Sequence, residues 1–132
     1  MATSIETILV VDDDIFVRMP IAQYLRDCGY KVIEAVSAEE AMAVLTRSDT
    51  VIDLVFTDIE MPGAVDGFGL AKWIRDHRPG VDVLLAGTVP RAVESAKEVC
   101  QQGQVPKPYD PQTVHNRIRR LLATRAKVEL RK

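Results

Sequence analysis

Aromatic residues are scarce in this 132-residue chain: Phe, Trp and Tyr together make up 5% of it. Its core must therefore be aliphatic, and a 47% hydrophobic fraction is enough for one ordinary domain. Cysteine is nearly missing. Cys28 and Cys100 fall in helix-like stretches with no Cys or His at metal spacing, so they read as two reduced thiols in or near packed helix faces. No apolar run approaches the ~20 residues a membrane helix needs, and no charged segment followed by an apolar one opens the chain. Repeats and low-complexity segments are missing too. The expectation is a soluble cytoplasmic protein with no membrane partner. Neither sign of charge dominates, the formal net being -2. Locally the balance differs: Arg117 to Lys132 holds seven Lys/Arg residues and one acid, Glu129. Too few aromatic or motif features accompany these cations to suggest direct nucleic-acid binding, so they read as a solvated helix face and tail.

What is present alternates. "TILVV" (7–11) is a short apolar run rich in β-branched residues, as a buried strand should be. "IFVRMPIAQYLRDCGY" follows at helical spacing, with Phe16, Met19, Leu25 and Cys28 able to share a side, Pro20 disturbing it one turn in, and Gly29 ending it. "KVIEA" (31–35) alternates like a half-buried strand, and "SAEEAMAVLTR" opens with a capping box, Ser37 and Glu40. "DLVFT" (53–57) and "VDVLLA" (81–86) are further strands, and "QV" (104–105) is a very short fifth. "DGFGLAKWIRDH", "PRAVESAKEVCQQ" and "DPQTVHNRIRRLLATRAKV" supply three more helices, the last with Asp110 as N-cap and Pro111 in its first position. Five β–α units in series predict an α/β fold. It is a single-domain, doubly wound, five-stranded parallel sheet with five helices on its two faces. The domain is expected over residues 1–125, with 126–132 a basic tail or the end of the fifth helix.

Ligands in such folds sit beyond the carboxyl ends of the strands. Asp12, Asp13 and Asp14 follow the first strand, Asp58 and then Glu60 the third, Gly87 and Thr88 the fourth, and Lys107 the fifth. Asp14 and Asp66 read most simply as helix caps. Asp12, Asp13 and Asp58 would repel one another if packed together. A hard divalent cation resolves that, and Mg²⁺ suits one or two carboxylates completed by waters and phosphate oxygens.

The stretches "ILVVDDD" (8–14), "DLVFTDIEMPG" (53–63) with "DG" at 66–67, and "PKPY" (106–109) resemble the receiver domain of two-component response regulators, over essentially the full length. That resemblance implies the flavodoxin-like strand order 2-1-3-4-5. It implies that Asp58 accepts a phosphoryl group from a phosphohistidine on a sensor histidine kinase or phosphotransfer protein. The reaction would be self-catalysed, with autodephosphorylation, rather than that of a conventional enzyme. Asp13, Asp58 and the backbone carbonyl of Glu60 would ligate Mg²⁺ (or Mn²⁺), and Asp12 would act through a metal-bound water. Lys107 would pair with the phosphoryl oxygens, and the Lys107–Pro108 bond is commonly cis in the family. Phosphorylation would add close to two negative charges and alter binding of an output partner whose identity the sequence does not give.

The chain departs from the family at three places. Its "MPGAVDG" loop is one residue longer than the commoner form. Gly87 stands where a Ser or Thr hydroxyl is expected, so either Thr88 turns inward or Gly87 offers only its backbone N–H. Gln104 stands where an aromatic switch residue is usual. The acceptor chemistry looks intact while the usual relay does not, which keeps open a pseudo-receiver, an interaction module with little phosphotransfer. An aspartyl-phosphate hydrolase is disfavoured, since "DDD" lacks the Thr/Val pattern that follows that nucleophile motif and no cap domain is present. No output domain follows residue 125, so the expectation is a stand-alone receiver or one excised from a larger regulator or hybrid kinase.

Overall fold

The computed structural model describes residues 5–47, 49–87 and 104–130. Its strands are β1 (Thr7–Val11), β2 (Lys31–Ala35), β3 (Leu54–Asp58), β4 (Asp82–Ala86) and β5 (Gln104–Val105). They form one parallel sheet in the order β2-β1-β3-β4-β5, as expected. The helices are α1 (Ile15–Asp27), α2 (Ala38–Thr46), α3 (Gly67–His77) and α4 (Pro111–Leu130), the last being the fifth helical stretch of the sequence. The expected helix over 90–102, with Cys100, lies outside the described residues, as does Thr88.

Alternate strand residues feed opposite faces of the sheet. Ile8, Val10, Leu54, Phe56, Leu84 and Ala86 pack with Ile21, Ala22 and Leu25 of α1 and with Val114, Ile118 and Leu122 of α4. Leu9, Val11 and Val55 pack instead with Ala38, Ala41 and Leu45 of α2 and with Leu70 and Ile74 of α3. Both faces are thus covered, which is why β1 and β3 are buried along their whole length.

Local chemistry sets the helix ends. The Asp14 carboxylate accepts from Phe16 N at 2.9 Å and Asp66 from Gly69 N at 2.9 Å. Ser37 Oγ accepts from Glu40 N, while the Glu40 carboxylate reaches back to Val36 N. Gly29, at φ +103°, ends α1 in a Schellman turn: its N–H donates to Arg26 O and that of Tyr30 to Leu25 O.

The expected buried side of α1 needs correction. Its buried residues are Ile21, Ala22 and Leu25, whereas Phe16 is 86% exposed and Met19 53%. Phe16 precedes Leu25 by about two and a half helical turns, so the two point in opposite directions. Cys28 is likewise exposed, at the helix cap rather than in a packed face. The helix runs on through Pro20, whose ring lies on the exposed side.

Gly67 sets how closely α3 approaches the sheet. Its N–H donates to Ile59 O at 2.8 Å. A Cβ there would run into the backbone carbonyl of Asp58 and lie 2.6 Å from Ile59 Cα. Backbone on both sides cannot give way as a side chain could. Gly67→Ala is therefore expected to lower the unfolding free energy by about 1–3 kcal/mol. Gly80→Ala, whose Cβ meets nothing within 4 Å, should change it by under about 0.5 kcal/mol. Urea denaturation of both variants checks this, and equal effects would break the argument.

Candidate functional site

Register places the acids. Val11 lies level with Thr57 and Asp58 with Ala86, so Asp12, one step beyond β1, emerges beside Asp58. The Asp12 N–H continues the ladder to Ala35 O at 3.1 Å. Asp12 and Asp58 are buried while Asp13 is exposed, and one carboxylate oxygen from each of the three lies within 4.8 Å of the others.

Lys107 reaches this cluster from beyond β5, and its bond to Pro108 is cis. Its Nζ donates to Asp12 Oδ2 at 3.0 Å and pairs with Asp58 Oδ1 at 3.2 Å. The other Asp12 oxygen accepts from Asp14 N at 2.9 Å. Both Asp12 oxygens are thus engaged by the protein. Three carboxylates against one ammonium leave two net negative charges at the strand ends.

The titration behaviour reflects that arithmetic. Burial pushes the Asp58 carboxyl above its ordinary value; Lys107 pulls it back, Asp12 pushes it further up, and a hydrogen bond from the Glu60 backbone pulls down. Burial wins. For Lys107 burial works downward, yet the hydrogen bond and charge of Asp12 and those of Asp58 together leave the ammonium above its ordinary value. Burial also raises the Tyr109 phenol, and the charges of Asp12 and Asp58 add to it. Its ring meets Phe56 edge-on at 5.4 Å.

The donor set fits a hard divalent cation: oxygen ligands only, two surplus negative charges, and one exposed carboxylate leaving room for water. Glu60 stands exposed two residues beyond Asp58. The Gly87 amide is not free to face the acidic cluster, whereas the expectation for Thr88 lies outside the described residues. The φ of Gly87 is +131°, and its N–H donates to Val105 O at 2.7 Å, so that amide is committed to the β4–β5 ladder. A Cβ at Gly87 would point at Ile59, 3.4 Å from its Cδ1. A side chain here would be strained in its backbone, while its Cβ would make ordinary contact with Ile59.

Sequence reasoning missed Arg18. Its Nη1 donates to the Asp12 carbonyl at 2.9 Å and its Nε pairs with Glu34 Oε1 at 3.0 Å. The signal was weak: an arginine one turn into a helix, and a glutamate in the partly buried β2. Among the described residues no helix is long and apolar enough to cross a membrane.

A family model described as "Response regulator receiver domain" matches residues 8–119. The phosphate regulon transcriptional regulatory protein PhoB of Pseudomonas aeruginosa is 31% identical over 121 residues, covering 89% of this chain and 52% of that protein. The chain spans about half the length of the curated relatives it matches. A CheY-like receiver domain protein from Methanospirillum hungatei superposes with a TM-score of 0.82 at 26% identity, over 94% of this chain and 98% of that one. The response regulator TrrA of Thermotoga maritima, solved with Mg²⁺ and BeF, gives 0.77 at 28% identity, over 89% and 99%.

The raised Asp58 carboxyl has a consequence for stability. Between the ordinary carboxylate pKa and the raised one, the folded state binds more protons than the unfolded state. Stability therefore falls as pH rises through that window. In metal-free buffer Asp58→Asn, which removes the buried charge, is expected to have a higher urea midpoint than wild type at pH 7. The gap should close as pH falls below about 4. A wild type at least as stable as Asp58→Asn at pH 7 would show that Lys107 outweighs burial.

Proposed function

We propose a function from one premise: the chain belongs to the family of response regulator receiver domains. Asp58 is the phosphoacceptor. Its carboxylate attacks the phosphorus of a phosphohistidine on a sensor histidine kinase or phosphotransfer protein. A P–O bond forms to Asp58 as the P–N bond breaks, and the histidine nitrogen leaves with the electron pair. The observation that carries this reading is the Lys107 ammonium, 3.0 Å from Asp12 and 3.2 Å from Asp58, at the carboxyl edge of a parallel sheet.

Phosphoryl transfer asks chiefly for positioning and neutralised charge. Lys107 is already drawn between two strands and can follow the phosphoryl oxygens without leaving Asp12. Asp13 and Asp58, with the Glu60 carbonyl, would hold Mg²⁺ (or Mn²⁺), and Asp12 would act through water, in keeping with both its oxygens being engaged. When bound, the ion supplies positive charge beside the transferring group. The burial that raises the Asp58 carboxyl makes it a better nucleophile once ionised, and the added cationic charge keeps it ionised.

The signal leaves the site by an unusual route. Gly87 has no hydroxyl, its amide is occupied, and Gln104 replaces the family's aromatic. Acyl-phosphate formation acts instead without that hydroxyl and aromatic pair, and Thr88, outside the described residues, remains a candidate contact. The output partner is a protein.

Incubation with a small phosphodonor is expected to label the wild type only with Mg²⁺ present, and Asp58→Asn not at all. A wild type without Mg²⁺-dependent label would be an interaction module with little phosphotransfer. Beryllofluoride with Mg²⁺ should shift amide resonances within residues 87–106, and their invariance would exclude any relay there.

A further inference from the structure

Asp13 is held differently from its neighbours. Asp12 is fixed through both carboxylate oxygens and Asp58 by Lys107. Asp13 is exposed, and among the described residues no hydrogen bond holds its carboxylate. The direction in which it projects is therefore set by its backbone, beginning with the peptide that joins it to Asp12. Arg18 Nη1 donates to the carbonyl of that same peptide at 2.9 Å.

Arg18 is itself well fixed. Its side chain is 11% exposed, and its Nε pairs with Glu34 Oε1 at 3.0 Å. Arg26 supports Glu34 from the other side at 3.3 Å and also donates to Val32 O at 3.0 Å. The N–H of Asp12 donates to Ala35 O, next to Glu34. Both peptide groups flanking Asp12 are thus tied to the end of β2, one directly and one through the guanidinium. A planar fork holds a carboxylate and a carbonyl at once through separate nitrogens in fixed geometry, whereas the three donors of an ammonium radiate from one nitrogen.

We propose that Arg18, braced by Glu34, is a positioning residue for the Mg²⁺ ligand Asp13, acting through the Asp12 carbonyl. This rests on the Mg²⁺-dependent reading above and adds to it residues outside the acidic cluster. Its sign separates it from plain electrostatics. A cation near a Mg²⁺ site repels the ion, so loss of charge alone would tighten binding. Loss of a support for a ligand weakens it, commonly about tenfold or more.

Calorimetric titration with Mg²⁺ alone, well below the melting temperature, tests this. Arg18→Gln is expected to weaken binding about tenfold. Arg18→Lys, which keeps the charge and loses the fork, should also weaken it, and Glu34→Gln should weaken it less. Unchanged or tighter binding in a folded Arg18→Gln protein would overturn the proposal. If that variant does not fold, unchanged binding in Arg18→Lys and Glu34→Gln would do so. Asp13→Asn serves as the control for ligand loss. A wild type that binds no Mg²⁺ would remove the metal reading and this inference together, whereas Mg²⁺ binding indifferent to Arg18 would remove the inference alone.

Discussion

The ammonium of Lys107 lies between Asp12 and Asp58, and the geometry of the site depends on that bridge. It joins the ends of β1 and β3 to the segment after β5, across the intervening β4. Two buried carboxylates side by side oppose folding. The lysine reduces that opposition without cancelling it, since burial still wins at Asp58. What remains is a site short of positive charge, which suits a divalent cation. In the resting protein Lys107 thus offsets part of the charge on both carboxylates with two contacts.

Much of the fold could be read from the residues because the local and long-range signals agree. β1 and β3 are continuous apolar runs and are buried on both faces. Gly29, Ser37 and Asp66 mark helix ends that the backbone confirms through specific hydrogen bonds. The buried side of α1 is harder to read, because Phe16 and Met19 are as apolar as core residues and yet lie exposed. The helical angle from Leu25 decides it, and the sheet accepts Ile21 and Ala22. The acids and Lys107 were legible since each follows a strand, and register brings strand ends together. Arg18 and Glu34 were not, because a contact from an α1 side chain to the carbonyl just beyond β1 has no sequence period.

Gly87 shows how a single missing side chain can also be a backbone statement. A residue with a hydroxyl would have to adopt a negative φ to sit comfortably, while this glycine is at +131°. Its amide meets Val105, and the space its Cβ would take faces Ile59, the residue directly after Asp58. The glycine is therefore joined to a backbone path that a side chain would strain. A side chain introduced at Gly87 alone would have to shift that path.

The same tension runs through the supports of the site. Gly67 lets α3 press against the backbone of Asp58, Arg18 grips the peptide before Asp13, and Asp14 N–H holds an oxygen of Asp12. Each fixes backbone or carboxylate around charges that would otherwise spread apart. None neutralises Asp58 itself. A receiver whose acids were fully compensated within the protein would be more stable and would have less use for a cation or a phosphoryl group. The incompletely compensated charge at Asp58 is thus the part of the fold that stability alone would remove and that the proposed phosphoryl transfer would use.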